Sequence, residues 1–309
     1  MVSSIKTVLG ILFLFSFGHA SGQSIDREKV LQDLEYLSGD ALEGRKTLSE
    51  GNLQAQEYIK AHFLSMDLFT HYSKYSQKFT FENRRERKKY EDATNVIAFI
   101  PGKTSRKIIV ITAHYDHVGI GRKNAAGDSI YNGADDNASG TAALMAFAAY
   151  FKENQPEHAI MFAALDGEEM GLQGAKALLN DFPFPKEDIL MNINMDMISR
   201  NDKGELYASG PYHNPSLKPI LEGVSKGSTP VLRFGHDDPS TGRNDWTQSS
   251  DQGPFFNQKI PHIYFGVEDH EDYHKPSDEF GNIDQDFYVN ATNLILRCIL
   301  ALDAELPKE

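Results

Sequence analysis

Lys107-Ile-Ile-Val-Ile-Thr112, running on through Ala113 into His114-Tyr115-Asp116, is the stretch on which the fold turns. A near-continuous apolar run of this kind reads as a β-strand buried on both faces, as strands of parallel sheets are. At its end stand a histidine and an aspartate two residues apart, so their side chains can point the same way. Downstream the same pattern repeats. Ser139 to Phe151 has helical periodicity, with Gly140, Ala142, Ala143, Ala146 and Ala149 allowing close packing. Ala159 to Leu165 is a second buried strand, Leu172 to Leu179 a short helix ended near Pro183, and Ile189 to Ile198 holds a third strand. Glu205 to Ala208, Val231 to Phe234 and Ile260 to Phe265 carry weaker strand signals, and Asp286 to Leu302 is a closing helix. Upstream, Ser24 to Leu37 and Gly51 to Met66 are amphipathic helices. Residues 69–100 look like a β-meander that ends in the strand Asn95 to Ile100 at Pro101-Gly102. Alternating strand and helix predicts an α/β fold: one domain, with a mixed, mostly parallel central sheet flanked by helices on both faces. In such sheets the functional loops lie beyond the carboxyl ends of the strands.

The chain has 309 residues, 40% apolar and 24% charged, with a formal charge of -13. That length suits one large domain with a real core. The negative charge argues against a nucleic-acid partner. The basic run Arg84-Arg85-Glu86-Arg87-Lys88-Lys89 reads as a solvated hairpin tip. Lys6, the apolar stretch Thr7 to Phe17 and the small residues of Gly18 to Gly22 read as a secretory signal peptide over residues 1–22, too short for a membrane span. The mature chain, residues 23–309, is then a single catalytic domain, exported to the periplasm or the medium, with no later segment expected to cross a bilayer. The single cysteine, Cys298, permits no intramolecular disulfide. It falls at helical spacing with Ala291, Leu294, Ile295 and Leu302, so it reads as a core thiol.

Polar clusters follow the strands. After the first comes His114-Tyr-Asp116, where Asp116 is placed to fix the second nitrogen of a ligating His114. Asn132-Gly-Ala-Asp-Asp-Asn-Ala-Ser-Gly140 sets carboxylates between glycines ahead of a helix, where one of them can bridge two cations. After the second strand comes Asp166-Gly-Glu-Glu-Met-Gly-Leu-Gln-Gly174. Of two adjacent glutamates, one can ligate a metal while its neighbour stays free to move a proton. Asp196 ends the third strand; a lone aspartate in an apolar run is costly unless paired or metal-bound. Asp251 follows Ser250, and Asp272-Tyr273-His274-Lys-Pro-Ser-Asp278 supplies a second histidine late in the chain. The donors then run His, Asp, Glu, Asp, His, a set that suits zinc. His71, His117, His158, His213, His236, His262 and His270 read as structural or surface groups, and His62 as a helix-core or rim residue. Glycosylation sequons at Asn137 and Asn290 are discounted, the first because it falls inside the proposed site.

With these residues assembled, the chain resembles the secreted co-catalytic zinc aminopeptidases, a family that includes bacterial leucyl-type aminopeptidases, glutamate carboxypeptidases and glutaminyl cyclases. The match runs from about residue 26 to 303. It takes in Leu37-Ser-Gly-Asp-Ala-Leu-Glu-Gly-Arg45 and Ser250-Asp-Gln-Gly-Pro-Phe-Phe256. The resemblance implies two zinc ions held by His114, Asp136, Glu169, Asp196 and His274. Asp136 would bridge them and form a cis peptide with Asn137. Glu168 would act as general base and then general acid, Asp116 would orient His114, and Tyr273 would donate to the developing oxyanion. The loop from His236 to Ser250, with Trp246, would shape the substrate pocket. The activity implied is removal of N-terminal residues from a peptide or aminoacyl substrate through a metal-bridging hydroxide. The alternatives are a single-zinc glutaminyl cyclase, a carboxypeptidase or dipeptidase, or an inactive binding protein on the same fold. Gly171-Leu-Gln-Gly-Ala175 favours the peptidase branch. The 77 residues between Asp196 and His274 leave no room for an inserted lid domain.

Overall fold

The computed structural model describes residues 24–308. The expected signal peptide, residues 1–22, lies outside them. Helix α1 (Arg27–Leu37) starts where the Asp26 carboxylate accepts from the Lys29 amide, and α2 (Glu50–Ser65) where Ser49 Oγ accepts from the Asn52 amide. Both are N-caps that satisfy otherwise orphaned donors. The buried faces, Val30, Leu34 and Leu37 on α1 and Ala55, Ile59 and Phe63 on α2, are the apolar stripes of the sequence.

Strands β1 (Ser76–Asn83) and β2 (Lys88–Ile100) form one long antiparallel hairpin where a meander was expected. The run Arg84–Lys89 makes its tip and the start of β2. Then come β3 (Ile108–His114), a small antiparallel pair β4 (Gly119–Ile120) and β5 (Ile130–Tyr131), α3 (Gly140–Glu153), β6 (Ala159–Leu165), α4 (Gln173–Asn180) and β7 (Ile189–Met195). The chain ends with β8 (Glu205–Ser209), α5 (Lys218–Ser225), β9 (Val231–Phe234), α6 (Gln252–Asn257), β10 (His262–Gly266) and α7 (Gln285–Glu305). The eight-stranded sheet has the order β1-β2-β6-β3-β7-β10-β8-β9. Its centre, β6-β3-β7-β10, is parallel; β2 and β8 flank it antiparallel. The single α/β domain with a mixed sheet is as the sequence predicts.

The strand runs are unbroken because both faces are covered. Along β6, Ile160, Phe162 and Ala164 join the core under α1, α2, α3 and α7, while Met161, Ala163 and Leu165 join the core under α4 and α6. Each of the larger side chains among them, Ile160, Met161, Phe162 and Leu165, contributes about 1.5–3 kcal/mol by leaving water. By length and composition α7 alone among the described helices is long and apolar enough to cross a bilayer, where the sequence was read as holding no such later segment. Two thirds of that stretch is buried inside the domain, with Leu294, Ile295, Cys298, Ile299 and Leu302 in the core, so it serves as a core helix here.

The outgoing connections of β3 and β7 lead to opposite sides of the sheet, to β6 and to β8. Such a switch point opens a crevice at the carboxyl ends of the strands. That crevice collects the polar clusters.

Candidate metal centre

Most candidate residues stand at or just beyond a strand end. His114 closes β3, Glu168 and Glu169 follow β6, Asp196 follows β7 directly, and His274 sits in the loop after β10. Asp136 comes from the irregular turn Ala134–Ser139 ahead of α3, with a cis peptide between Asp136 and Asn137. Beneath them a polar ladder crosses the sheet. Asn192 Nδ2 donates to Thr112 Oγ1 at 2.9 Å, Thr112 donates to Asn194 Oδ1 at 2.6 Å, and Asn194 Nδ2 donates to Ser250 and Gln252 at 3.0 Å.

Donor atoms gather in two groups, His117, Asp136, Glu169 and His274 in one and His114, Glu168 and Asp196 in the other, each within 4.8 Å of one another, and Asp136 lies between the two. His114 Nε2 lies 3.4 Å from Asp136 Oδ1 and 3.3 Å from Asp196 Oδ1. His274 Nε2 lies 3.0 Å from Asp136 Oδ2 and 3.3 Å from Glu169 Oε1. Ligand atoms about 2.0–2.1 Å from a tetrahedral zinc stand about 3.3 Å apart, so these imidazole–carboxylate spacings fit zinc. The chemistry fits as well. Asp116, Asp135, Asp136, Asp166 and Asp251 are buried, and Glu168 and Glu169 stand beside them. So much buried negative charge calls for cations.

Secondary contacts hold this arrangement. Asp278 accepts from the backbone amides of Asp135 and Asp136 at 2.9 and 3.0 Å, clamping the turn. Asp135 faces away from the centre: its Oδ1 accepts from the amide and hydroxyl of Ser199, and its Oδ2 lies 3.0 Å from His270 Nε2. Gly133, at φ +57°, has no room for a side chain; a Cβ there would lie 2.1 Å from the Asp136 carbonyl oxygen and 2.6 Å from the His117 ring. Arg45, from the N-terminal motif, is buried and donates to the carbonyls of Tyr115, Leu37, Asn132 and Gly133. Burial lowers its pKa to about 10, opposed by Asp136, Asp278, Asp116 and Glu169, so it stays charged at neutral pH. Asp166 accepts from Thr47, Asn52 and the Thr94 amide and anchors the turn that presents Glu168.

Asp116 differs from its expected part. His114 Nδ1 is 3.1 Å from the Asp116 backbone carbonyl, whereas the Asp116 carboxylate is 3.8 Å away. That carboxylate instead accepts from the Glu168 amide at 3.1 Å. The physical reason is geometry: at a strand end the main chain reaches Nδ1 before the side chain does. Asp116 therefore touches both His114 and the Glu168 turn, through different atoms.

Electrostatics separates the two glutamates. Burial pushes the Glu168 carboxyl well above the usual range; His114 opposes this, while Asp251, Asp196 and Glu169 add to it. Burial raises Glu169 too, but His117 and His274 hold it far below that range. Burial alone would lower both ligand-type histidines. Nearby carboxylates overcome it, raising His114 well above 6.5 and His274 to about 10. Asp251 has no hydrogen-bond partner among the described residues, and burial lifts it to about 7.

A cleft of about 1010 Å³ opens over the centre. Tyr273 lines it, its ring stacked on His274 at 4.0 Å. Trp246, Arg243, Gln248 and Ser249 line it too, so the loop from His236 to Ser250 does shape the pocket. Arg84 and Arg85 also reach the cleft, so part of the basic hairpin tip faces it and not only solvent. Sequence reasoning assigned Arg45, Asp278 and the Asp135–His270 pair no part in the site. It also set aside His117, whose Nδ1 lies 2.8 Å from Glu169 Oε1. The only signal for His117 was its place one residue beyond Asp116.

Comparisons with known proteins agree with this architecture. A model described as peptidase family M28 matches residues 95–299. An alkaline phosphatase isozyme conversion protein of Escherichia coli is 30% identical over 167 residues, 52% of this chain and 48% of that protein. A probable zinc metalloprotease of Pyrenophora teres f. teres is 33% identical over 156 residues, 49% of this chain and 32% of that protein. The chain thus covers at most about half the length of these curated relatives. A solved leucine aminopeptidase precursor of Bacteroides thetaiotaomicron superposes with a TM-score of 0.72 at 16% identity, covering 90% of this chain and 97% of that one. A zinc aminopeptidase of Bacillus subtilis gives 0.72 at 15% identity, covering 90% and 95%. A glutaminyl cyclase of Bacteroides thetaiotaomicron gives 0.70 at 16% identity, covering 90% and 98%. Identities this low speak for the fold alone.

Proposed function

The chain belongs to peptidase family M28, and from that premise we propose that it is an exported aminopeptidase using two zinc ions to remove N-terminal residues from peptides. The observation that carries this reading is Asp136, whose Oδ1 faces His114 at 3.4 Å and whose Oδ2 faces His274 at 3.0 Å. A single carboxylate divided between two imidazoles is a bridging ligand in form. His114, Asp136 and Asp196 would hold one ion, and His274, Asp136 and Glu169 the other. Bound there, zinc supplies a Lewis acid for the scissile carbonyl and acidifies a water.

The chain's own residues do the rest. Glu168 accepts a proton from the attacking water and returns it to the leaving nitrogen as the C–N bond breaks, so the proton balance closes on one carboxyl. Its backbone amide, tied to Asp116, fixes where that carboxyl stands. Its donor atom falls within 4.8 Å of those of His114 and Asp196. Tyr273, which lines the cleft with its ring stacked on His274, would donate to the oxyanion. Trp246, stacked on His236 at 3.6 Å, and Leu172 offer apolar walls for a substrate side chain. Export rests on Lys6 and the apolar Thr7 to Phe17.

The test is turnover of a panel of aminoacyl anilides beside N-blocked analogues and a glutaminyl peptide, each with and without chelator and added zinc. Chelator-sensitive release from free-amine substrates alone is the expected result. Cyclisation of the glutaminyl peptide without anilide release moves the chain to the cyclase reading. Zinc uptake with no turnover of any substrate refutes the enzyme reading.

A further inference from the structure

His117 is a buried imidazole beside the candidate ligands that the two-zinc reading leaves unused. It is 1% exposed. Its Nδ1 lies 2.8 Å from Glu169 Oε1 and 3.8 Å from Asp136 Oδ2, the same two oxygens that His274 Nε2 faces at 3.3 and 3.0 Å. Donor atoms of His117, Asp136, Glu169 and His274 all fall within 4.8 Å of one another. The ring sits beside Gly133, where an added Cβ would lie 2.6 Å from its Cδ2 and 2.7 Å from its Cγ. Nε2 has no hydrogen-bond partner among the described residues, so the polar contacts of the ring are made through Nδ1 toward this group.

We propose that His117 is a protein ligand, through Nδ1, of the metal ion held by His274, Asp136 and Glu169. This rests on the two-zinc reading and deepens it. With His117 that ion has four protein donors, two imidazoles and two carboxylates, which completes a tetrahedral zinc shell. The other ion keeps three, from His114, Asp136 and Asp196, and retains an open position beside Glu168. The two ions are then unequal. The four-donor ion is retained and organises the turns after β3 and β6, and the three-donor ion exchanges and meets substrate.

The alternative role is positional: His117 Nδ1–H only donates to Glu169 and aims it. Two measurements separate these. The first needs no variant. Zinc K-edge X-ray absorption on the wild-type protein counts imidazoles. Three per two zinc ions, and two on the first zinc to bind, are expected; one imidazole per zinc in both forms overturns the proposal. The second uses H117N, whose amide nitrogen can replace Nδ1–H as a donor to Glu169 but is a poor zinc ligand. Competition with a chromophoric chelator should show its tighter zinc weakened beyond the roughly 10–100-fold that loss of a supporting hydrogen bond costs. Unchanged affinity and an unchanged imidazole count in H117N overturn the assignment. Stoichiometry speaks to the parent reading separately. Wild-type protein that saturates at one zinc with two imidazoles refutes the two-zinc reading while leaving His117 a ligand, and protein that takes up no zinc refutes both.

Discussion

Arg45 offers the sharpest test of how the centre is held. Its guanidinium has five N–H donors, and four are spent on the backbone carbonyls of Tyr115, Leu37, Asn132 and Gly133. These carbonyls belong to three separate segments: the end of α1, the turn after β3 and the approach to the Asp136 turn. Lysine has the same charge but at most three donors. In R45K at least one buried carbonyl loses its partner, at about 1–3 kcal/mol. R45M orphans all four and removes the cation facing Asp136, Asp278, Asp116 and Glu169, so it costs more than the roughly 3–5 kcal/mol of breaking a buried charge pair alone. Urea unfolding followed by circular dichroism, with chelator present to remove linkage to zinc, measures both. An unchanged m value is needed for the comparison to hold. The reasoning fails if R45K unfolds within about 0.5 kcal/mol of wild type, the range of an ordinary surface change.

Glu168→Gln should lower kcat by about 10²–10⁴ while zinc content stays the same; equal loss of zinc, read by elemental analysis, would mark Glu168 as a ligand instead. Asp251→Asn should flatten the pH dependence of stability in the metal-free protein. Asp251 sits at about 7 when folded, against 3.8 for the free side chain. The folded state therefore binds the extra proton, and stability falls as pH rises from about 4 to about 7, by at most about 4 kcal/mol. Urea midpoints across that window should slope less in D251N; an identical slope would clear Asp251 of the effect. Arg84→Glu with Arg85→Glu should raise KM for peptides with an acidic residue beyond the cleaved bond by roughly twofold to tenfold, the scale of two exposed ion pairs, and the effect should fade with salt. A KM change equal for acidic and neutral peptides would contradict a charge role for the hairpin tip.

The strands and helices that carry the site were legible because burial on both faces leaves no polar interruption. Ala159 to Leu165 agrees with the structure residue for residue; Val231 to Phe234 does too, although it is an edge strand with Val231 and Arg233 exposed. The carboxylates were legible because acids at the ends of apolar runs need a reason. What stayed hidden depends on contacts between distant segments. α5, α6 and the β4–β5 pair are short and draw their stability from neighbours, not from their own periodicity. The His114–Asp116 contact passes through a main-chain carbonyl, which no side-chain pattern encodes. Arg45 lies 70 residues from Tyr115 and 88 from Gly133, and His117 lies 52 from Glu169, so only the folded chain brings them together.

The same proximity sets the proton balance of the centre. Without divalent ions, Arg45, His114 and His274 are among the positive charges that face Asp136, Asp196 and Glu169. Accordingly His274 is lifted to about 10 and His114 well above 6.5, although burial opposes both. At neutral pH the metal-free centre therefore carries protons where zinc would sit. A histidine ligates only when neutral, so zinc must displace them. Binding at pH 7 should release about two protons, one from each of these rings, and more if Glu168 or Asp251 also ionises. Calorimetric titrations of zinc in buffers of different ionisation enthalpy measure that number directly. Release should shrink as pH rises through the His274 range near 10. Zinc uptake with no proton release at pH 7 would mean that the imidazoles are neutral beforehand, and the carboxylates would then have to be balanced by some other cation.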